Sequence, residues 1–119
     1  MRLVSPSDCL FCKIAAQEIE TAVLYEDDLA TGFRDINPKA PVHVLIIPKE
    51  HVVSLATCEP KHQALLGHLM LVAGKLAESE NLDKNGYRVV SNVGTYGGQS
   101  VAHLHLHLLG GRSFGWPPG

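Results

Sequence analysis

The chain has 119 residues, of which 45% are hydrophobic, and its formal net charge is −2. This length and composition predict one globular domain over residues 1–119, and the absence of a basic stripe excludes nucleic acid as an expected partner. The amino terminus lacks the apolar core of a signal peptide and no apolar run reaches the length of a membrane span, so we expect a cytoplasmic protein with no membrane partner.

The amino-terminal part of the chain is predicted to contain one short helix and a hairpin. We expect residues 1–7 to form a flexible terminus. Asp8 is a candidate N-cap for a short helix that ends near Gln17. Two short strands follow, at about residues 22–26 and 29–33, and the two aspartates between them favour a tight turn.

A loop with two prolines at residues 35–41 leads into the most hydrophobic stretch of the chain, residues 42–48. Its run of β-branched residues is typical of a central strand covered on both faces. His43 is out of character in that strand, and both a structural and a functional role remain open for it.

The carboxy-terminal half is predicted to form one long helix and two further strands. The helix covers about residues 59–80, and its apolar face consists of Leu65, Leu69, Val72, Ala73 and Leu76. His62 and His68 fall outside that face, so we expect both on the surface. A strand at residues 87–92 follows. Four or five mostly antiparallel strands with one long and one short helix predict an α+β fold.

Residues 103–109 read His-Leu-His-Leu-His-Leu-Leu, which predicts a strand with three imidazoles on one face and leucines on the other. Residues four apart on a strand are separated by about 13.6 Å, so His103 and His107 cannot bind one ion. The three histidines must therefore have different roles, and the roles open to histidine are metal binding, nucleophilic attack, and proton transfer or hydrogen bonding.

The loop at residues 93–100 precedes this strand and contains Gly94, Gly97 and Gly98. Glycine lets a backbone turn several N–H groups toward one anion, so the loop is a candidate anion site, although it lacks the Gly-Lys-Ser/Thr of a P-loop. A histidine strand beside such a loop indicates phosphoryl or nucleotidyl chemistry.

Cys9 and Cys12 have the spacing that lets two thiolates bind one metal ion. The same spacing is found in redox pairs, but no thioredoxin-like pattern surrounds it. With an odd count of three cysteines and no secretory signal, we expect reduced thiols or metal ligands rather than disulfides.

Residues 103–109 resemble the His-φ-His-φ-His-φ-φ signature of the histidine triad (HIT) superfamily, where φ is hydrophobic. Further matches lie at residues 11–14, 25–28, 33–36, 41–43, 47–49 and 97–100. The tail, with Gly110-Gly111-Arg112 and Trp116-Pro117-Pro118-Gly119, resembles the Hint branch of that superfamily. The similarity covers residues 8 to 119 and implies a HIT-like fold with a five-stranded antiparallel sheet, a homodimer in which residues 110–119 form an ordered tail near the partner, and a purine nucleotide pocket.

The resemblance implies hydrolysis of the P–N bond in purine nucleoside 5′-phosphoramidates. His105 would be the nucleophile, attacking the α-phosphorus to give a nucleotidyl-histidine that water then cleaves. His107 would contact the phosphate, His43 would join the cluster, and Ser100 would help the leaving amine take a proton. No catalytic cofactor is implied.

The nucleotide-binding residues implied by the resemblance fall into three groups. Asp35 would accept hydrogen bonds from the ribose hydroxyls. The phosphate would lie against Asn92, Gly98, Gln99, Ser100 and Val101. The base would contact Leu10, Phe11, Ile14, Phe33 and Ile36, and Trp116 would reach toward the partner subunit's site.

The resemblance also implies a structural zinc site. Many members of the superfamily hold zinc with residues that correspond here to Cys9, Cys12, His51 and His103, and all four positions carry ligand types. Two rival functions remain open: a dinucleoside polyphosphate hydrolase, which the Hint-like tail disfavours, and a non-catalytic nucleotide-binding regulatory protein.

Overall fold

The computed structural model describes residues 8–119, so the expected flexible terminus at residues 1–7 lies outside the described part of the chain. Helix α1 spans Leu10–Ala15. The strands are β1 (Val23–Glu26), β2 (Ala30–Arg34) and β3 (Val42–Pro48), then β4 (Tyr87–Val90) and β5 (Leu106–Gly110). Short 3₁₀ turns at Leu55–Thr57 and Pro60–His62 lead into helix α2 (Gln63–Ser79), and the short helix α3 (Gly94–Gly97) precedes β5.

The five described strands form one antiparallel sheet in the order β1-β2-β3-β5-β4. The predicted α+β fold with a five-stranded antiparallel sheet is therefore confirmed, and α3 is an additional helical turn inside the predicted glycine-rich loop. No helix among the described residues is both long and apolar enough to cross a membrane.

The central strand β3 is buried on both faces, as its apolar run predicts. Val44 and Ile46 pack in one core with α2, whereas Leu45 and Ile47 pack in a second core with α1. The predicted apolar face of α2 is buried, and all of it except Leu65 lies in the first core. Leu104, Leu106 and Leu108 pack there too, so the leucine face of the histidine segment is confirmed as a core face.

The predicted strand at residues 103–109 begins later than expected, at Leu106. Its partner β3 pairs with β5 only as far as the Ile46–Leu106 pair, and the preceding residues bond to other segments. The Leu104 amide donates to the Val52 carbonyl at 2.6 Å. The two sides of the segment nevertheless remain distinct, since Leu104 packs in the first core whereas the rings of His103 and His105 both meet Phe11 of the second core.

Two predictions about polar residues are wrong. The N-cap of α1 is Cys9 rather than Asp8, since the Cys9 sulfur accepts from the Cys12 amide. His62 is only 6% exposed. Its Nδ1 accepts from the Glu59 amide and its Nε2 donates to Glu50 at 2.9 Å, so these two hydrogen bonds offset the cost of burying the ring.

His68, also predicted to lie on the surface, is half-buried because it bonds to the β1–β2 turn. Its Nε2 donates to Asp27 Oδ2 at 2.6 Å, and Tyr25 Oη donates to the same oxygen at 2.5 Å. Asp27 Oδ1 accepts from the Leu29 and Ala30 amides, both at 2.8 Å. One carboxylate thus joins the hairpin to α2.

We expect Asp27→Ala to lower the free energy of unfolding at pH 7 by about 2–3 kcal/mol, because four donors lose a charged acceptor. Burial alone would raise the pKa of Asp27, but hydrogen bonds from Tyr25, the Leu29 amide and His68 outweigh it and lower the pKa. The stabilisation is therefore complete above the unfolded-state pKa of about 4 and is lost as pH falls through the lower folded-state pKa.

Denaturant unfolding at pH 7 and at successively lower pH measures this effect. The matched control is Asp28→Ala, since Asp28 is the exposed neighbour in the same turn. Equal losses of stability in the two variants would show that the carboxylate network contributes nothing.

Candidate active site and metal-ligand cluster

Four ligand atoms meet where α1 approaches the segment before β5. Cys9 Sγ lies 3.2 Å from His103 Nδ1, and Cys12 Sγ lies 3.2 Å from His51 Nδ1 and 3.4 Å from His103 Nδ1. Two sulfurs and two imidazole nitrogens around one tetrahedral zinc are separated by about 3.5 Å, given bonds of about 2.3 and 2.05 Å. The cluster thus has the donor types and nearly the spacing of a closed four-ligand metal site.

The protonation of His103 supports the same interpretation. Its Nε2 lies 2.9 Å from the Pro48 carbonyl, which can only accept, so Nε2 carries the proton and Nδ1 presents a lone pair to the sulfurs. Burial lowers the pKa of His103 to about 4, and burial with the neighbouring Cys9 raises the pKa of Cys12 to about 12. A cation would reverse the second shift by stabilising both thiolates.

His105 is held with one nitrogen free. Its Nδ1 lies 2.7 Å from the His103 carbonyl, which again can only accept, so Nδ1 is the protonated nitrogen and Nε2 carries the lone pair. Burial lowers the pKa of His105, which keeps the ring neutral near pH 7. A neutral imidazole with a free Nε2 is the form that can act as a nucleophile.

His107 pairs with His43 on the neighbouring strand. The Lys39 amide donates to His43 Nδ1 at 3.0 Å, so the proton of a neutral His43 is on Nε2, 2.9 Å from His107 Nδ1. His107 Nδ1 must then accept, and its own proton is on Nε2. No group of residues 8–119 accepts from that buried Nε2, which is therefore free to donate to a ligand.

The His43–His107 pair is neutral for the same reason as His105. Burial lowers the pKa of His107 to about 4, assisted by the neighbouring imidazoles, and burial lowers the pKa of His43. Asp35 Oδ2 lies 3.4 Å from His43 Nε2, and Asp35 Oδ1 accepts from the Asn37 amide at 2.8 Å.

A cavity of about 300 Å³ opens beside His105 and His107. It brings together ten of the predicted site residues: Leu10, Phe11, Ile14, Phe33, Asp35, Ile36, Ser100, Val101, His105 and His107. Its walls are mainly apolar, and the two histidines with Asp35 and Ser100 supply polar groups. This combination is typical of a small-molecule pocket.

The cavity is also lined by residues that sequence reasoning missed, namely Ile19, Glu20, Thr21, Arg34 and Leu45. Leu45 could have been found, since residues two apart on a strand lie on the same face and Leu45 is therefore on the face of β3 that carries His43. The Ile19–Thr21 segment lies in a connection without periodicity, and no signal in the sequence points to it.

Four predicted nucleotide-binding residues do not line this cavity: Asn92, Gly98, Gln99 and Trp116. The Gln99 side chain is buried and holds the loop together, since its amide oxygen accepts from Gly94 and its amide nitrogen donates to the Val53 and Val101 carbonyls. Trp116 is 83% exposed in a tail without helix or strand. Their contacts with a nucleotide remain predictions.

Comparison with known proteins gives one consistent family. The HIT domain model matches residues 16–114. The chain is 50% identical over 121 residues to a 14 kDa zinc-binding protein of Zea mays, covering 100% of this chain and 94% of the relative.

Solved structures that resemble this chain belong to the same family. A HIT family hydrolase from Legionella pneumophila Philadelphia 1 superposes with a TM-score of 0.93 at 51% identity, covering 94% of this chain and 100% of the other. A histidine triad nucleotide-binding protein from Candida albicans superposes with a TM-score of 0.79 at 37% identity, covering 92% and 83%.

Proposed function

This chain belongs to the HIT family, and we propose that it hydrolyses the P–N bond of purine nucleoside 5′-phosphoramidates through a nucleotidyl-histidine intermediate. The observation that carries the proposal is His105, a buried neutral imidazole whose Nδ1–H is held by the His103 carbonyl, which leaves the lone pair on Nε2, and whose side chain lines the cavity. The similar proteins from Legionella and Candida, described as a hydrolase and a nucleotide-binding protein, support this chemistry.

In the first step His105 Nε2 attacks the α-phosphorus while the bond from phosphorus to the amine nitrogen breaks. The amine leaves with the electron pair of that bond and takes a proton from the Ser100 hydroxyl, which lines the cavity and takes up a replacement proton from solvent. The histidine then bears a P–N bond and a positive charge, which makes it a good leaving group. Water attacks the phosphorus in the second step while the bond from phosphorus to Nε2 breaks, and one proton of the water passes to solvent. The products are the nucleoside monophosphate and neutral His105, still protonated on Nδ1.

His107 is the proposed hydrogen-bond donor to the phosphate. Its Nε2–H has no acceptor among residues 8–119, so a phosphate oxygen would satisfy a buried donor that is otherwise costly. A neutral donor fixed in place before the reaction stabilises developing charge without reorganisation. His43 does not line the cavity, and it holds His107 in place by donating to His107 Nδ1.

The rest of the cavity suits a purine ribonucleoside. Phe11 and Phe33 meet edge to face with ring centroids 5.7 Å apart, and together with Leu10, Ile14 and Ile36 they give an apolar slot for a flat base. Each oxygen of Asp35 retains lone-pair capacity beyond the contacts described, so the carboxylate can accept from both ribose hydroxyls.

We propose that the cluster of Cys9, Cys12, His51 and His103 holds a structural zinc ion. The donor set is closed, with no position left for substrate, and the ligand geometry described above fits zinc. When bound, zinc would supply cross-linking of α1 to the segment that carries His105, and no catalytic step. The zinc-binding description of the Zea mays relative supports this assignment.

We also propose that the protein forms a homodimer. Strand β4 is an edge of the sheet formed by residues 8–119, and Met70 and Leu71 of α2 are exposed. An uncovered sheet edge and an apolar helix surface are both suited to contact with a second copy. The tail at residues 110–119 would then lie near the partner.

A comparison of three substrates tests the proposed reaction. We expect adenosine 5′-phosphoramidate of a primary amine to be cleaved with a higher kcat/KM than diadenosine polyphosphate. The 2′,3′-dideoxy form of the phosphoramidate should react about tenfold or more slowly, since Asp35 loses two charge-assisted hydrogen bonds.

Amine and nucleoside monophosphate release are measured together for each substrate. Faster cleavage of the polyphosphate would assign the protein to the dinucleoside polyphosphate hydrolases. Tight binding of the nucleotide with no turnover of any of the three substrates would instead indicate a regulatory binding protein.

A further inference from the structure

The Gly110-Gly111-Arg112 motif lies outside the cavity but packs on the loop between β2 and β3. Gly111 has φ of +89°, a conformation that favours glycine, and a Cβ there would lie 2.8 Å from Pro41 Cβ. The glycine thus lets the tail pass directly over Pro41. This close approach brings the next residue, Arg112, to the same loop.

Arg112 holds the backbone of that loop at Lys39. Its Nη2 donates to the Lys39 carbonyl at 3.0 Å, and its Nη1 donates to the Ser113 carbonyl at 3.1 Å. The guanidinium lies over the Phe114 ring, 4.3 Å from the centroid, which fixes the orientation of the planar group.

Lys39 connects this contact to the histidines. Its carbonyl accepts from Arg112, and its amide donates to His43 Nδ1 at 3.0 Å. The two bonds constrain the backbone on both sides of one α-carbon. If that amide turned away, His43 could carry its proton on Nδ1 and would then offer a lone pair to His107.

The nitrogen of His107 that carries the proton depends on which nitrogen of His43 is protonated. With the Lys39 amide in place, His43 donates to His107 Nδ1, and the His107 proton remains on Nε2. With His43 reversed, His107 would place its proton on Nδ1 and present a lone pair where the phosphate oxygen is proposed to bind, which is repulsive.

We propose that Arg112 is a positioning residue: by holding the Lys39 carbonyl it keeps the Lys39 amide on His43 Nδ1, which sets the tautomers of His43 and His107 so that His107 Nε2 donates to the phosphate. The proposal rests on the proposed function, because it assigns a task to His107 in that reaction. It also gives the Gly-Gly-Arg motif a role within this chain, beyond the expected approach of the tail to a partner.

Arg88 offers a matched control for Arg112. It also lies over the Phe114 ring, 5.2 Å from the centroid, and it also donates to a tail carbonyl, that of Gly115 at 2.9 Å. None of the described hydrogen bonds joins it to Lys39. Arg88→Ala therefore loosens the tail in a similar way while leaving the Lys39 carbonyl bonded to Arg112.

The test records the ¹⁵N resonances of the histidine rings, which distinguish protonated from unprotonated nitrogens, and the steady-state kinetics on the phosphoramidate. Wild type should show His107 protonated on Nε2. Arg112→Ala should shift part of the His107 population toward the Nδ1–H form and lower kcat about three- to tenfold with KM within about twofold, the loss expected for one exposed charged hydrogen bond. Arg88→Ala should retain the wild-type ring spectrum and kcat.

Lys39→Ala distinguishes the role of the Lys39 backbone from that of its side chain, since it retains both backbone hydrogen bonds and removes the side chain beyond Cβ. It should keep the wild-type tautomers. The proposal is overturned if wild-type His107 is protonated on Nδ1, if Arg112→Ala leaves the ring spectrum unchanged, or if Arg88→Ala changes it equally. The ring spectra need no substrate, so a failure of the proposed reaction would leave this test intact.

Discussion

His105→Ala is expected to reduce kcat for the phosphoramidate on the order of 10⁴-fold or more, with the fold and the zinc content unchanged. The loss is large because the proposed reaction forms its covalent intermediate on this ring, and no other free imidazole nitrogen with a lone pair adjoins the cavity among residues 8–119. His107 cannot substitute, since its Nδ1 accepts from His43 and its Nε2 is protonated. Rapid-quench kinetics and intact-protein mass spectrometry during turnover measure both the rate and the adduct.

His107→Ala is the comparison variant, because it removes the proposed phosphate donor and leaves the nucleophile. We expect a smaller loss, of about 10²- to 10³-fold, with the nucleotidyl adduct still detectable. Amine release by His105→Ala at the wild-type rate, or an adduct mapped to another residue, would exclude His105 as the nucleophile.

Removal of the proposed zinc ion is expected to lower Tm by about 10–20 °C. When the free metal concentration is about a thousand times the dissociation constant, binding stabilises a fold by about 4 kcal/mol. Each kcal/mol changes Tm by about 3–5 °C in a chain of this size. Without the cation, the pKa of Cys12 at about 12 keeps its thiol protonated, and the proposed cross-link between α1 and the segment carrying His105 is lost.

Metal analysis and thermal unfolding, with and without a chelator, check this expectation. Protein purified without added zinc should contain one ion per chain. Cys12→Ser should lose the ion, whereas Cys58→Ser should retain it, because Cys58 lies near the start of α2 and its thiol donates to the Ser54 carbonyl. Less than about half an ion per chain with Cys9 still reduced would count against the site.

The sequence alone determined most of the architecture, because local periodicity records which side chains face the core. The alternation at residues 103–109 separated leucines that pack against α2 from histidines on the other face. It also showed that His103 and His107 are too far apart to share one ion, and the structure places them in separate clusters. The same reasoning misplaced His62, since a ring outside an apolar stripe can still be buried when its hydrogen bonds are satisfied.

Only the tertiary structure decided which nitrogen of each imidazole is free, because the deciding acceptors and donors are set by backbone geometry and by segments distant in sequence. The Pro48 carbonyl directs the lone pair of His103 toward the sulfurs, and the His103 carbonyl frees Nε2 of His105. The Lys39 amide acts through His43 on His107, 64 residues further along the chain. The pairing of β3 with β5 creates that contact, and such long-range register cannot be obtained from the pattern of one strand.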